Sequence, residues 1–255
     1  IQKDRLYSVR ADGSAPAGFL HGVLNGAGVN SFQITPDGQR VVSLAEFELD
    51  GVLELYCTPI DRSAPPVRLS GTMVAGGDVT HFQLSPDSTR VVYRADQDAD
   101  EVFDLFAVPL DQSAPPVRLN LSRPLADVEP DFRVSFDSLG VVYRADQDTD
   151  GVIELYGASI VGGVPPFKRS APLIAAGDVD GFALSPVNDW LVYRADASLD
   201  GHDELHAVHA ISGGAPVRLE RTDTIADSLA PPMTLPGGFA MCRAGLDDLV
   251  TIDDQ

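Results

Sequence analysis

With 255 residues, 44% of them hydrophobic, the chain can bury a sizeable core as one large all-β domain or two smaller ones. Asp and Glu outnumber Lys and Arg 38 to 18, a formal charge of −20, which opposes binding to nucleic-acid phosphates or to an anionic membrane. No run nears the ~20 apolar residues of a membrane-spanning helix, and the two cysteines, Cys57 and Cys242, have neither metal-ligand spacing nor the density of a disulfide framework.

The chain opens at Ile1 without an initiator Met, which leads us to expect a removed leader or a piece of something longer. Residues 1–31 hold two strand-length apolar runs, Leu6-Tyr7 onward and Pro16 to Leu20. From Phe32 a repeat of about fifty residues takes over. Phe32, Phe82, Phe132 and Phe182 keep the interval, as do Pro66, Pro116, Pro166 and Pro216, and Val91-Val92-Tyr93-Arg94-Ala95-Asp96 recurs unchanged at 141–146 and with one change at 191–196.

Within the copy that starts at Phe82, four apolar runs have strand length: Phe82 to Leu84, Arg90 to Ala95, Val102 to Val108 and Pro116 to Leu119. Ser85-Pro86-Asp87-Ser88 and Asp111-Gln112-Ser113-Ala114-Pro115 are turn sequences, in which Pro presets a backbone angle and Asp bonds the amides that follow. Each copy therefore reads as four antiparallel strands. A twisted sheet of this size cannot cover its own faces, and copies stacked radially bury them, so the expected fold is an all-β propeller. The expected layout is one domain over 1–255, with complete blades at 32–81, 82–131, 132–181 and 182–231 and partial ones at 1–31 and 232–255. Arg243-Ala244 in the last segment matches Arg194-Ala195. Five blades, closed by pairing the N-terminal segment onto the C-terminal one, is the favoured count; six is the alternative.

The copy resembles the TolB-like (WD40-like, PD40) propeller repeat in its aromatic-led strand at Phe82, its Ser85-Pro86-Asp87 turn, its Val91-Val92-Tyr93 strand and its Leu105-Phe106 strand, with Leu6-Tyr7, Leu55-Tyr56 and Leu155-Tyr156 as further instances. Phe136 in place of the turn proline, Val187 in place of the turn Asp and His206 in place of the aromatic depart from it. The resemblance implies a periplasmic or extracellular, non-catalytic module that binds or scaffolds another protein or protein complex.

The loop after the second strand carries the sharpest chemical pattern. Asp146, Asp148 and Asp150 alternate, Gly151 follows and Glu154 closes, so that oxygens on alternate residues, with the Val152 carbonyl, could converge on calcium. This version resembles the calcium hairpins of integrin-type propellers. The pattern recurs as Asp96, Asp98, Asp100 and Asp104; as Glu46, Glu48, Asp50 and Glu54; and as Asp196, Ser198, Asp200 and Glu204. Solvated acidic turns, copied with the repeat, are the competing reading.

Arg94, Arg144, Arg194 and Arg243 precede these loops and are expected to pair with turn carboxylates or to line a channel, while Asp78 and Asp178 read as turn or inter-blade anchors. His206 occupies an aromatic slot, and in a strand His206 and His209 point to opposite faces, which argues for packing over zinc. No G-x-S-x-G nucleophile elbow or phosphate-cradling glycine loop occurs. The alternative to a binding module is a propeller enzyme acting on sugars, or the propeller of a larger peptidase.

Overall fold

The computed structural model describes residues 5–21, 28–121, 127–175, 177–198 and 203–219, and every regular element among them is a strand. A short hairpin of β1 (Tyr7–Ser8) and β2 (Gly18–Phe19) precedes four four-stranded antiparallel sheets. The first is β3 (Val29–Ile34), β4 (Arg40–Ala45), β5 (Glu54–Pro59) and β6 (Val67–Arg68); the second is β7 (Val79–Leu84), β8 (Arg90–Ala95), β9 (Asp104–Pro109) and β10 (Val117–Arg118). The third is β11 (Arg133–Val134), β12 (Gly140–Ala145), β13 (Glu154–Ser159) and β14 (Phe167–Lys168); the fourth is β15 (Val179–Leu184), β16 (Trp190–Ala195), β17 (Glu204–His209) and β18 (Val217–Arg218). Four sheets and a hairpin make a β-propeller of about five blades. First strands begin at Val29, Val79 and Val179, three residues before the repeating Phe, and third strands begin at the acid that ends each loop.

The core lies between blades, because strand alternation gives each sheet two apolar faces. Val91, Tyr93, Phe106 and Val108 pack against Val42, Leu44 and Leu55 of the first blade. Val92, Leu105 and Ala107 pack the other way, against Phe132, Val141 and Tyr143 of the third. Val142 and Leu155 meet Leu191, Tyr193 and Val208 of the fourth in the same manner. Cys57 is a buried member of this packing, as expected of a small strand residue. The strict repeat of Phe32, Phe82, Phe132 and Phe182 predicts core positions: Phe82 and Phe132 are buried and Phe182 is half-buried, but Phe32 is 52% exposed.

The first strands of the first three blades are joined through glutamine. The Gln83 side chain donates to the Phe132 carbonyl at 2.9 Å and accepts from the Val134 amide at 3.1 Å, and Gln33 makes the corresponding donation to Phe82 O at 3.5 Å. The hairpin turns are joined as well, the Asp37 amide donating to Ser88 Oγ and the Asp87 amide to Ser138 Oγ, both at 3.0 Å. Within a turn the Ser85 hydroxyl donates to Asp87 Oδ1 at 2.6 Å, and the Ser135–Asp137 pair repeats this although Phe136 replaces the proline. In the third blade Val128 bridges Ala145 alone. One extra residue separates it from Phe132 compared with Val79 and Phe82, and Pro130 there has no N–H for the ladder, so β11 is short.

Candidate functional site

The acidic loops send their carboxylates to three different places. The first acid organises backbone. Asp96 accepts from the Asp78 amide at 2.6 Å and from the Glu101 amide at 3.0 Å, and Asp146 accepts from Asp127 at 2.6 Å and Gly151 at 3.2 Å. Asp196 accepts from Asp178 at 2.5 Å, and Glu46 accepts from Gly51 at 3.0 Å. Asp78, Asp127 and Asp178 in turn accept from the amides of Leu53, Phe103 and Ile153 of the preceding blade at 2.6, 2.8 and 2.7 Å. These are the expected inter-blade anchors. Asp127 escapes a search at the fifty-residue interval because the extra residue at Pro130 displaces it by one.

The third and ninth positions converge on a side-chain cation from the fourth strand of the same blade. Lys168 Nζ lies 2.9 Å from Asp148 Oδ2 and 2.6 Å from Glu154 Oε1, and Arg68 lies 3.1 Å from Glu48 and 2.9 Å from Glu54. Arg118 pairs with Asp98 and, at 3.1 Å, with Asp104; Arg218 lies 3.1 Å from Glu204, which also accepts from the Ser198 hydroxyl. Glu54 and Glu154 are buried, and their second oxygens accept from the Tyr56 and Tyr156 hydroxyls at 2.6 and 2.8 Å. The fifth position is simply exposed at Asp50, Asp100 and Asp150, while Asp200 lies outside the described residues. Val152 donates its amide to Thr149 O at 3.0 Å, closing a turn.

These sets do not fit a calcium cage as their spacing suggests. A cage needs six to eight oxygens on one ion; here the first acid is committed to amides and the third and ninth to an ammonium or guanidinium. Among the described residues no three His, Cys, Asp or Glu side chains stand where they could hold a metal ion. The missed partner was visible in the sequence, since Arg68, Arg118, Lys168 and Arg218 keep the same fifty-residue interval.

Of the arginines before the loops, Arg94 and Arg144 brace the next blade. Arg94 donates to the Val128 carbonyl and, at 2.9 Å, to Thr80 Oγ1, with its guanidinium 3.7 Å from the centre of the Phe103 ring. Arg144 grips Asp131 through Nε at 3.0 Å and donates to Val179 O at 2.7 Å. Arg194 lies 3.2 Å from Asp203 and 3.7 Å from Asp180, and Arg243 lies outside the described residues. Burial, then a shared hydrogen bond and repulsion from Asp203, raise the Asp180 pKa against the pull of Arg194. His206 stacks on Tyr193 with ring centres 5.0 Å apart, and burial lowers its pKa so that it packs as a neutral ring. His209 instead stacks on Trp190 at 4.2 Å, so the two do not share a site.

The opposite end of the blades carries the hairpin turns, and its character changes around the ring. In the first two blades these turns hold Asp37, Gln39, Arg40, Asp61 and Arg62, then Asp87, Thr89, Arg90, Asp111 and Gln112. The corresponding residues of the third are Asp137, Leu139, Gly140, Val161 and Gly162. Phe136, Leu139, Val161 and Val164, with Val187 in the next blade, are 42% to 69% exposed. Ile211 of the fourth blade packs so closely over Gly140 that a β-carbon there would lie 2.2 Å from it. Leu139, Val161 and Val187 thus put exposed apolar side chains where the first two copies carry polar or charged ones.

No protein-family model matches the chain, and no curated protein matches it by sequence. Solved structures do. Porphyromonas gingivalis dipeptidyl peptidase 4 is 12% identical with a TM-score of 0.59, covering 82% of this chain and 35% of its own. Prolyl oligopeptidase B from Galerina marginata is 10% identical with a TM-score of 0.51, covering 74% of this chain and 30% of its own. A chain from a study of two prolyl endopeptidases has the same TM-score and identity, covering 74% and 29%. This chain thus spans about a third of the length of these peptidases. At such identity the likeness shows the β-propeller fold alone.

Proposed function

We propose that the chain is a non-catalytic propeller that docks another protein through the turn end of its third and fourth blades. The observation that carries this reading is the set of exposed apolar side chains Leu139, Val161 and Val187, where the first two copies keep Gln39 and Thr89, Asp61 and Asp111, and Asp37 and Asp87, flanked by the exposed Phe136 and Val164. The partner is a protein with an apolar face, and a basic rim on it would be drawn by a chain of charge −20. The resemblance of the repeat to the TolB-like one supports a periplasmic or extracellular setting and a scaffolding role in a larger assembly. No helix among the described residues is long and apolar enough to cross a membrane.

The test is co-purification from the native source with the wild-type chain and with a Leu139→Asp/Val161→Asp variant of matched melting temperature. A partner captured by the wild type and lost by the variant supports the reading; equal capture overturns it. A second reading, the propeller portion of a larger peptidase, is favoured by the partial coverage of the peptidase chains. It gains if the captured partner, or further length of the natural chain, hydrolyses proline-containing peptides.

A further inference from the structure

In the first three blades the leucine near the start of the third strand is held twice by the end of the fourth. Leu55, Leu105 and Leu155 accept from the Leu69, Leu119 and Arg169 amides at 2.7, 2.8 and 2.6 Å. Their own amides donate to side chains fifteen residues on, to Ser70 Oγ at 3.2 Å, Asn120 Oδ1 at 2.9 Å and Ser170 Oγ at 3.3 Å. The β1–β2 hairpin is clamped in the same way, with Leu6 accepting from the Leu20 amide at 3.0 Å. Here, however, the side-chain acceptor is a histidine: the Leu6 amide donates to His21 Nε2 at 3.2 Å, again fifteen residues on.

A hydroxyl or an amide oxygen accepts at any ordinary pH, whereas an imidazole accepts only while it is neutral. Accepting at Nε2 places the ring proton of His21 on Nδ1, which is buried without a partner. The residue is 8% exposed, and its ring centre lies 4.6 Å from that of Phe47, which in turn lies 4.4 Å from Tyr56 of the first blade. The second and third blades have Gln97 and Gln147 where the first has Phe47, and there the glutamine side chains accept the Gly71 and Leu121 amides, both at 3.2 Å. The hairpin thus meets the first blade ring against ring where later copies use an amide hydrogen bond. The titratable groups on either side have other partners: Arg5 lies over the Phe19 ring, Glu46 accepts from Gly51, and Tyr56 donates to Glu54, which Arg68 holds. Burial is what lowers the His21 pKa.

We propose that His21 is an acid-sensitive latch on the β1–β2 hairpin. Neutral, it closes the clamp on Leu6 and packs against Phe47. Protonated, it turns an N–H toward the Leu6 N–H and carries a buried charge that no salt bridge meets among the described residues, so the hairpin lifts. The cleft between hairpin and first blade, lined by Tyr7, Val9, Leu20, Phe32, Ile34 and Val41, opens with it. A lifted His21 titrates at the ordinary value of 6.5 and a docked one below it. The latch is therefore at full strength above about pH 7 and weakens as pH falls toward the docked value. The clamps built on Ser70, Asn120 and Ser170 hold through the same window.

Two measurements on the full chain test this. The first is hydrogen exchange read by mass spectrometry at about pH 7.5 and pH 5, each rate taken relative to that of unstructured peptide at the same pH. Protection of residues 5–21 should fall about tenfold on acidification, the factor that one pKa unit between docked and lifted histidine supplies, while β8 and β9 keep theirs. His21→Asn supplies the acceptor that Asn120 provides in the second blade and cannot titrate, so its hairpin should stay protected at both pH values. The second is an NMR titration of the wild-type His21 ring, assigned by its loss in the variant, which should show a midpoint below 6.5 coinciding with the loss of hairpin protection. Constant protection in the wild type, or the same acid loss in His21→Asn, overturns the latch. Should the variant's hairpin already be loose at pH 7.5, the titration decides: a His21 midpoint at or above 6.5 overturns the proposal, and one below it that tracks the loss of protection upholds it.

Discussion

Lys168 is the one lysine in a ring of arginines, and it shows how the acidic loops are held. Leaving water costs its ammonium, but hydrogen bonds and attraction from Glu154 and Asp148 outweigh this and hold its pKa above the ordinary lysine value. A raised lysine pKa contributes stability below about pH 10, lost as pH climbs through the folded value. Since the loop already holds a cation of its own, melting of the wild type should be the same in excess calcium and in excess chelator. Lys168→Ala leaves Asp148 and Glu154 facing each other without it, so this variant should melt lower and regain part of the loss in calcium. Equal calcium stabilisation of both proteins would return the loops to the calcium class. Asp180 and Asp203 show the opposite interaction, repulsion, with a pKa shift in the same direction. The raised Asp180 pKa means a stability contribution present below the ordinary Asp range and lost as pH rises through its folded value. Asp203→Asn should raise the melting temperature at pH 7 and not at pH 3.5; an equal shift at both pH values would remove repulsion as the cause.

At the scale of strands and turns, the loop of the second blade bears a strain that its sisters avoid. Gly51 and Gly151 adopt φ of 78° and 73°, and Glu101 is held at 60° in the same place. A side chain there costs about 1 kcal/mol or more, so Glu101→Gly should stabilise the protein by about that much in urea melts; destabilisation would mean the Glu101 side chain contributes more than its strain. This strain, the four strands per copy and the turn chemistry were legible in the sequence because each depends on residues close along the chain. The destination of the acids was not. Alternating Asp residues specify where oxygens can go, but whether they meet a metal or Lys168 depends on a residue fourteen positions downstream of Glu154 on another strand. Phe32 was misjudged for a similar reason: its burial belongs to a neighbouring blade and not to its own. The apolar turn patch, by contrast, could have been found by comparing copies at Asp111 and Val161.

Across the whole molecule, stability should grade from the middle outward. The second and third blades are covered on both faces, while the first shows Phe32 and Ile34 to solvent on one side. In a stack of repeats each blade is held by its own strands and its nearest neighbours. Amides of β8, β9, β12 and β13 should therefore exchange hydrogen slowest, and those of β3 faster than those of β8. Equal exchange in all four blades would show that they unfold as one unit.

The joints between blades have a further consequence. The Leu53, Phe103 and Ile153 amides reach forward to Asp78, Asp127 and Asp178, so the second and third blades each carry the donor of one joint and the acceptor of the one before it. Identical copies are thus complementary head to tail, an arrangement that closes into a ring when the rotation per copy fits. A single fifty-residue unit, expressed alone, has what it needs to assemble with copies of itself. The present chain is then readable as such an assembly whose members became fused by duplication, with later divergence in places such as the turns of the third blade.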